Sequence, residues 1–299
     1  MNRPARLAVG VVSAGRVGAV LGAALARAGH TVVAASGVSK ASLRRAELLL
    51  PDVPIRPPDE VAQAADLVLL ALPDDVLPGM VRGLAAAGAL RPGQIVLHTC
   101  GAHGVDVLAP AIEQGVLGLA LHPVMTFTGR AEDLERIAAC GFGVTAAEGD
   151  EAAWNVAEAL VVEIGAEPVR VPESVRPLYH TALAHGANHL VTLVGEATDL
   201  LRRAGVGMPE RLIAPLLSAA LDNALRHGDR ALTGPVARGD AGTVRKHVRV
   251  LAEHASEMLP AYRALAERTA ERASAAGLLR DDLVPAVEAA IKDTGESTR

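Results

Sequence analysis

Aromatic residues and cysteines are scarce in this sequence. Phe, Trp and Tyr together make up 2% of the 299 residues, so the chain lacks the stacking platforms that single-strand binders use. The formal net charge is −5, which gives no bulk attraction to phosphate backbones. Two cysteines, Cys100 and Cys140, are too few for a disulfide framework or a four-thiolate zinc site. We therefore expect neither nucleic acid nor a metal ion as a partner.

Long stretches without charge are also scarce. The longest one free of Asp, Glu, Lys and Arg covers 177–195, which is about the length of a bilayer-spanning helix. Its three histidines, its Asn and its Tyr would be costly in hydrocarbon, so we interpret it as a buried helix rather than a membrane span. The opening residues, MNRPARLAVG, show no cleavable signal pattern, and we expect a cytoplasmic protein.

The first part of the chain alternates short apolar runs with helical patterns. The predicted strands are 7–12, 31–35, 66–72, 94–99, 116–121, 141–145 and 167–171. The helical patterns between them include 17–28, 39–50 and 150–165. Buried strands of this length, separated by helices, indicate an α/β fold with a doubly wound, mainly parallel Rossmann sheet.

After Pro172 the pattern becomes helical throughout. The predicted helices are 174–204, 210–227, 241–255 and 260–276, with a shorter one from 283. We therefore predict a Rossmann-like domain over 1–170 and a helical domain over 171–299. The final segment, DTGESTR, is expected to be a frayed tail.

A glycine-containing loop joins the first strand to the first helix. It reads Ser13-Ala14-Gly15-Arg16-Val17-Gly18 and matches the dinucleotide-binding pattern G-x-G-x-x-G, with serine in place of the first glycine. In that pattern the backbone approaches a pyrophosphate closely and a helix N-terminus faces its charge. Serine suits the turn if its φ stays negative. We expect all six residues to contact the cofactor; alternatively, the glycines serve packing alone.

The end of the second strand carries the next cofactor signal. NAD sites place an Asp or Glu here for the ribose 2′-hydroxyl, but this chain has no acid before Glu47. It has Ser36, Ser39 and Lys40 instead, and Arg16 adds a cation from the glycine loop. This set suits a 2′-phosphate, so we predict NADP(H) as the cofactor. Alternatively, Ser39 caps the following helix and Lys40 is solvated.

Polar residues follow three further strands. In an open α/β sheet, ligands bind outside the carboxyl ends of the strands. We expect Leu72, Pro73 and Asp74 to lie beside the nicotinamide ribose. The other two loops should face the nicotinamide; they supply Thr99, Cys100, Gly101 and His122. Alternatively, Asp74 is a helix cap, and His98 and His122 are hydrogen-bonded structural histidines.

The first long helix of the second half carries many polar groups. At about 100° per residue, His180 and Asn188 lie about 80° apart and can share one face. His185 and His189 have a metal-ligand spacing but lack an accompanying carboxylate, so no metal site is predicted. Further along the chain, Arg238 is either a bidentate hydrogen-bond donor to a substrate carboxylate or a solvated loop charge.

Four segments together resemble a bacterial family in which a Rossmann-like NADP-binding domain precedes a helical domain of formerly unknown function. They are the Ser13–Gly18 loop, His122-Pro-Val-Met-Thr-Phe127, Tyr179-His180 with Asn188, and Leu-Thr-Gly-Pro-Val-Ala-Arg-Gly-Asp over 232–240. The family is similar to deazaflavin-dependent NADP oxidoreductases and, more distantly, to β-hydroxyacid dehydrogenases, prephenate dehydrogenases and pyrroline-carboxylate reductases. Some members are associated with ketopantoate reduction in pantothenate synthesis.

The resemblance implies an oxidoreductase but does not supply its proton donor. The β-hydroxyacid dehydrogenases carry a catalytic Lys one turn before an Asn, and this chain has no Lys between Lys40 and Lys246. His180 is the nearest candidate for the acid.

We therefore expect an NADPH-dependent reductase of a small 2-oxo acid, with ketopantoate as the best single guess. His180 would donate the proton, Asn188 would orient the carbonyl, and Thr99 and His122 would line the pocket. Cys100, Gly101 and Arg238 are further candidates for contact with the substrate.

Three alternatives stay open at this point. In the first the hydride acceptor is an imine, in the second it is a deazaflavin, and in the third the chain is a non-catalytic NADP-binding protein. Because the C-terminal helices are apolar around much of their circumference, we also expect a homodimer formed through them.

Overall fold

The structure is a computed structural model that describes residues 6–294. The first five residues and most of the predicted tail, 295–299, lie outside the described residues. The chain forms two compact units, Met1–Ala187 and Asn188–Arg299. They divide inside a long helix, whereas the boundary expected near 170 coincides with the end of the last strand. The functional division at 170 stays a prediction.

A seven-stranded sheet forms the centre of the first unit. Its strands are β1 (Ala8–Val12), β2 (Thr31–Ala35), β3 (Leu67–Leu70), β4 (Ile95–His98), β5 (Leu117–Pro123), β6 (Gly141–Thr145) and β7 (Glu167–Arg170). They lie in the order β2-β1-β3-β4-β5-β6-β7, and every neighbouring pair is parallel except the antiparallel pair β5 and β6. The predicted doubly wound, mainly parallel sheet is confirmed.

Helices cover both faces of this sheet. They are α1 (Arg16–Arg27), α2 (Lys40–Leu49), α3 (Pro58–Ala64), α4 (Leu77–Ala86), α5 (Ala109–Ile112), α6 (Glu132–Ile137) and α7 (Glu151–Glu163). Along β3, Leu67 and Leu69 belong to one buried apolar cluster, and Val68 and Leu70 belong to another. Both faces of the strand are therefore buried, which explains its uninterrupted apolar sequence.

The long helix α8 (Arg176–Arg203) spans the stretch that we interpreted as a buried helix. The helix is confirmed, but the prediction that it is buried is wrong, since the side chains over 177–195 are exposed or only partly buried. Leu178 and Val191 are 71% and 73% exposed. A charge-free sequence marked this helix as apolar but did not reveal whether a surface within the same chain covers it. Across residues 6–294, no helix is long and apolar enough to cross a membrane.

The second unit is helical in its described part, which confirms the predicted architecture. After α8 come α9 (Pro209–His227), α10 (Pro235–Arg238), α11 (Ala241–His254), α12 (Leu259–Ala275) and α13 (Val284–Ile291). Its main core gathers apolar residues of α10 to α13, such as Val244, Ala273 and Ile291. Helix α9 differs, because Pro209 is its only buried residue.

Candidate active site

The loop between β1 and α1 turns through Ser13. Its φ is +76°, in the left-handed region that residues with a Cβ rarely adopt, so the expected negative φ is wrong. The turn is tight because α1 starts three residues later, and a Cβ on Gly18 would overlap the Ser13 carbonyl oxygen. Serine thus holds a conformation that glycine usually supplies, at a strain of about 1 kcal/mol.

The start of α1 fits a bound pyrophosphate. Gly15 is the N-cap of this helix, and no side chain caps it. The first N–H groups of a helix, here those of Arg16, Val17 and Gly18, have no partner within the helix, and the helix dipole adds positive potential at this end. Backbone donors and positive potential together suit a doubly charged diphosphate.

Ser36 connects the loop after β2 to the loop after β1. Its hydroxyl accepts from the Ser13 N–H (2.9 Å), and its carbonyl accepts from the Ala14 N–H (2.7 Å). Ser36 therefore fixes these two loops against each other. Ser39 is the N-cap of α2, where its hydroxyl accepts from the Ser42 N–H (3.0 Å), as our alternative interpretation anticipated. Their contact with a cofactor stays a prediction.

Positively charged side chains gather near the end of β2. A surface basin is lined by four cations, Lys40, Arg44, Arg45 and Arg130, and by one carboxylate, Glu47. A Cβ on Gly129 would lie 2.6 Å from Nε of Arg45 and 2.9 Å from Cγ of Arg16, so Arg16 adjoins the same basin. Within the described chain, none of these five cations forms an ion pair. Unpaired cations in one basin suit a dianionic phosphate.

The ends of β3 and β4 pack against each other. The Cys100 thiol donates to the Leu72 carbonyl (3.3 Å), and burial raises its pKa, with Asp74 adding to the effect. Thr99 is also buried, and its N–H donates to the Leu70 carbonyl (3.3 Å). The Cys100 thiol is therefore protonated and bonded to the neighbouring loop.

His98 is a structural histidine. It is fully buried, with Nδ1 accepting from the Cys100 N–H (3.2 Å) and Nε2 bonded to the Gly104 carbonyl (2.7 Å). Burial lowers the pKa of His98 to about 4, so the imidazole is neutral at physiological pH. Both ring nitrogens are occupied, which supports the structural alternative for this residue.

His122 and His180 converge on Gly101. A Cβ placed on Gly101 would lie 2.9 Å from Nε2 of His122 and 3.0 Å from Nε2 of His180. The two rings meet edge to face, with centroids 5.9 Å apart. Nδ1 of His122 is bonded to the hydroxyl of Tyr179 (2.8 Å). The carboxyl ends of β4 and β5 and the first turns of α8 thus bring two imidazoles and a phenol together.

The electrostatics of this cluster favour a neutral His122. Burial lowers its pKa to about 4, and the nearby Arg176 and His180 act in the same direction, whereas Asp74 opposes them. Burial also raises the pKa of the Tyr179 hydroxyl, so the phenol is protonated. A neutral imidazole bonded to a neutral phenol can donate a hydrogen bond or relay a proton without carrying a charge.

Two sequence families match this chain. A Rossmann-like domain matches residues 1–123, and the Domain of unknown function DUF2520 matches residues 142–269. The chain joins a Rossmann-like domain to a DUF2520 domain. The resemblance drawn from the four motifs is thereby confirmed, and the histidine cluster draws on both domains. No curated protein sequence matches the chain.

Solved structures share this fold at low sequence identity. A candidate NADP oxidoreductase of Bacteroides fragilis is 21% identical, with a TM-score of 0.72 over 89% of this chain and 98% of that one. Pyrroline carboxylate reductase of Plasmodium falciparum, with NADP bound, is 10% identical, with a TM-score of 0.56 over 89% of this chain and 98% of that one. A variant imine reductase of Myxococcus stipitatus, in complex with NAD+, is 17% identical, with a TM-score of 0.57 over 97% of this chain and 100% of that one. The TM-scores establish a common fold, and at identities below 25% the similarity shows the fold alone.

Two predicted site residues lie in the second compact unit, within the DUF2520 domain. Asn188 is an exposed residue of α8. Arg238 is exposed, and its guanidinium pairs with the carboxylate of Asp240 through Nε (3.1 Å) and a terminal nitrogen (2.6 Å). Their roles towards a substrate stay predictions. No group of three or more His, Cys, Asp and Glu among residues 6–294 is placed to hold a metal.

Sequence reasoning missed several residues that the structure brings to these sites. Arg44 and Arg45 follow Lys40 by about one helical turn, so their charge was a usable signal. Arg130 joins them only through the fold. Within the DUF2520 domain, Tyr179 was noticed as part of a motif but given no role, and Arg176 carried no signal because an arginine at a helix start is usually solvated.

Proposed function

We propose that this chain is an NADPH-dependent oxidoreductase that reduces a C=O or C=N bond of a small molecule. The observation that carries the proposal is the convergence of His122 and His180 on Gly101, at the carboxyl edge of the sheet. In doubly wound folds this edge is where ligands bind. Two imidazoles there provide a proton donor and a hydrogen-bond donor for one reacting centre.

The cofactor residues support NADPH over NADH. The uncapped start of α1 suits the pyrophosphate, and the basin of unpaired cations near β2 suits the 2′-phosphate. No carboxylate follows β2 directly to hold a ribose 2′-hydroxyl. When bound, NADPH supplies the hydride that reduces the substrate carbon.

The remaining roles fall to the residues of the cluster. His180 donates the proton that the substrate oxygen or nitrogen needs after reduction. The neutral His122 donates a hydrogen bond from Nε2 to the same atom while negative charge develops on it. Gly101 lets both imidazoles approach its backbone closely, because a Cβ there would overlap the His180 ring.

Two substrate classes fit this chemistry. The 2-oxo acid class, with ketopantoate as the best guess, follows from the sequence resemblance. The imine class is supported by the shared fold of a pyrroline carboxylate reductase and an imine reductase.

NADPH oxidation followed by absorbance distinguishes these candidates. The assay compares a panel of 2-oxo acids that includes ketopantoate with 1-pyrroline-5-carboxylate and a deazaflavin. We expect turnover with one class and, in His180→Ala, a fall in kcat of about 100-fold or more. His254→Ala, which removes an exposed histidine of α11, is the control and should retain turnover. NADPH binding without oxidation by any acceptor would favour a non-catalytic NADP-binding protein instead.

We further infer that the chain acts as a homodimer through its helical part. Helix α9 exposes Leu212, Leu216 and Leu225 to 60%, 68% and 79%. In proteins most helical stability comes from packing of an apolar face, and Pro209 is the only buried residue of α9, so a second copy of the chain would stabilise this helix by covering it. The second unit also has an apolar cavity of about 360 Å³, lined by residues such as Leu200, Leu251 and Met258, that the same partner can fill.

A further inference from the structure

Arg176 is a buried cation without a carboxylate partner. Its side chain is 1% exposed, and within residues 6–294 it forms no ion pair. Burial lowers the pKa of this guanidinium, as expected for a charge moved out of water. Glu173 acts on this charge only from beyond ion-pair distance. A buried charge without an ion pair is costly and is maintained only by full hydrogen bonding. The position of Arg176 therefore needs a structural reason.

The hydrogen bonds of Arg176 supply that reason. Nε donates to Oγ1 of Thr145 (2.7 Å) on β6. One terminal nitrogen donates to the carbonyls of Cys100 (3.2 Å) and Gly101 (3.4 Å), just after β4. The other donates to the carbonyls of Ala120 (3.2 Å) on β5 and Gly143 (2.7 Å) on β6. One side chain thus links three chain segments of the sheet.

We propose that Arg176 is the positioning residue of the histidine cluster: by linking the Gly101 loop, β5 and β6, it holds His122 and Tyr179 in one hydrogen-bonded orientation with Nε2–H of His122 turned towards Gly101. The role of this orientation in catalysis rests on the proposed function, whereas the orientation itself does not.

The surroundings of Tyr179 determine the direction of its hydrogen bond. The guanidinium of Arg176 lies 5.6 Å from the centre of the Tyr179 ring. The hydroxyl lies against Gly143, where a Cβ would overlap it, and the Gly143 N–H faces its oxygen. Because the oxygen accepts on the Gly143 side, its own proton is donated to Nδ1 of His122. The imidazole proton must then be on Nε2.

The charge of Arg176 also keeps that imidazole neutral. The titratable groups that face His122 are Arg176, Tyr179 and His180 from α8 and Asp74 from the loop after β3. Burial is the largest cause of its lowered pKa, Arg176 follows, and only Asp74 acts in the opposite direction. A protonated His122 would lose its bond from Tyr179, because both ring nitrogens would then be donors.

Histidine NMR on the unliganded protein tests this inference without any cofactor or substrate. In the wild type we expect His122 to show a single Nε2–H tautomer and to titrate at about 4. Arg176→Lys keeps the charge but cannot reach five acceptors on three segments, so the tautomer should become mixed. Arg176→Met also removes the charge, and His122 should titrate about one unit higher or more.

Thr145→Val is the matched control. It removes one of the five acceptors and leaves the charge in place, so both the tautomer and the titration of His122 should stay close to those of the wild type. Arg176→Lys decides the test if Arg176→Met fails to fold, because it retains the charge and most of the volume. A single Nε2–H tautomer in Arg176→Lys would overturn the inference. A chain that passes this test yet oxidises NADPH with no acceptor would keep the positioning role and lose the proposed function.

Discussion

At the residue scale, Ser13 shows how a single position departs from a familiar motif. The sequence predicts the loop and its place between β1 and α1, but not the left-handed φ of +76°. In the folded turn the Ser13 carbonyl lies so close to Gly18 that a Cβ there would overlap it, a contact that the sequence does not reveal. A departure from the usual residue of a motif thus indicates which position is unusual, but it does not indicate which backbone conformation that position adopts.

Replacing Ser13 tests this strain directly. In Ser13→Gly, relief of the left-handed conformation outweighs the added entropy of the unfolded chain, so we expect a gain of about 0.5 kcal/mol in the free energy of unfolding. In Ser13→Val, a β-branched side chain makes the same conformation worse, and we expect a loss of more than about 1 kcal/mol. Urea unfolding of the three proteins measures both effects. Equal stability of the glycine and valine variants would contradict the backbone assignment.

Two buried histidines predict a loss of stability in mild acid. Burial lowers the pKa of both His98 and His122 from 6.5 to about 4. The unfolded chain therefore binds these protons more readily, and the free energy of unfolding falls as the pH drops from about 6.5 to about 4. Each histidine contributes up to roughly 3 kcal/mol to this fall. Urea unfolding between pH 7 and 4 measures it, and a flat profile over that range would show that the histidines are accessible to protons.

At the element scale, most strands and long helices could be predicted because each has a strong apolar pattern. The predicted strand over 141–145 matches β6, but its antiparallel direction could not be predicted, since an apolar run carries no direction. Short helices such as α5 and α6 present too few residues for a periodic signal. The cluster around His122 depends on this reversal, because β6 brings Gly143 opposite His122 and beneath Tyr179.

The contact between α1 and its preceding turn can be tested with one methyl group. In Gly18→Ala the new Cβ would overlap the Ser13 carbonyl, so the turn must open; we expect a loss of about 1–3 kcal/mol in stability and at least about tenfold weaker NADPH binding. Gly79→Ala is the matched control, because nothing lies within 4 Å of that position in α4. It should keep the affinity and gain slightly in stability. Unchanged NADPH affinity in Gly18→Ala would remove the loop from the cofactor site.

At the scale of the whole molecule, the exposed apolar side chains of α9 support the proposed dimer. The sequence predicted apolar helices, and the structure adds that α9 is left uncovered by the described part of its own chain. We expect light scattering to give the mass of a dimer. Leu212→Lys combined with Leu216→Lys should give a monomer with less helix, whereas Arg211→Ala, on the polar side of α9, should stay dimeric. A wild-type monomer would refute the proposed dimer.

The central claim is that the Rossmann-like domain binds NADPH through its serine-containing loop and its basin of cations. Calorimetric titration of the purified chain with NADPH and with NADH tests it most directly. We predict saturable binding of one NADPH per chain and binding of NADH that is weaker by about tenfold or more, because the 2′-phosphate contacts are lost. A chain that binds neither nucleotide, or prefers NADH, would contradict it.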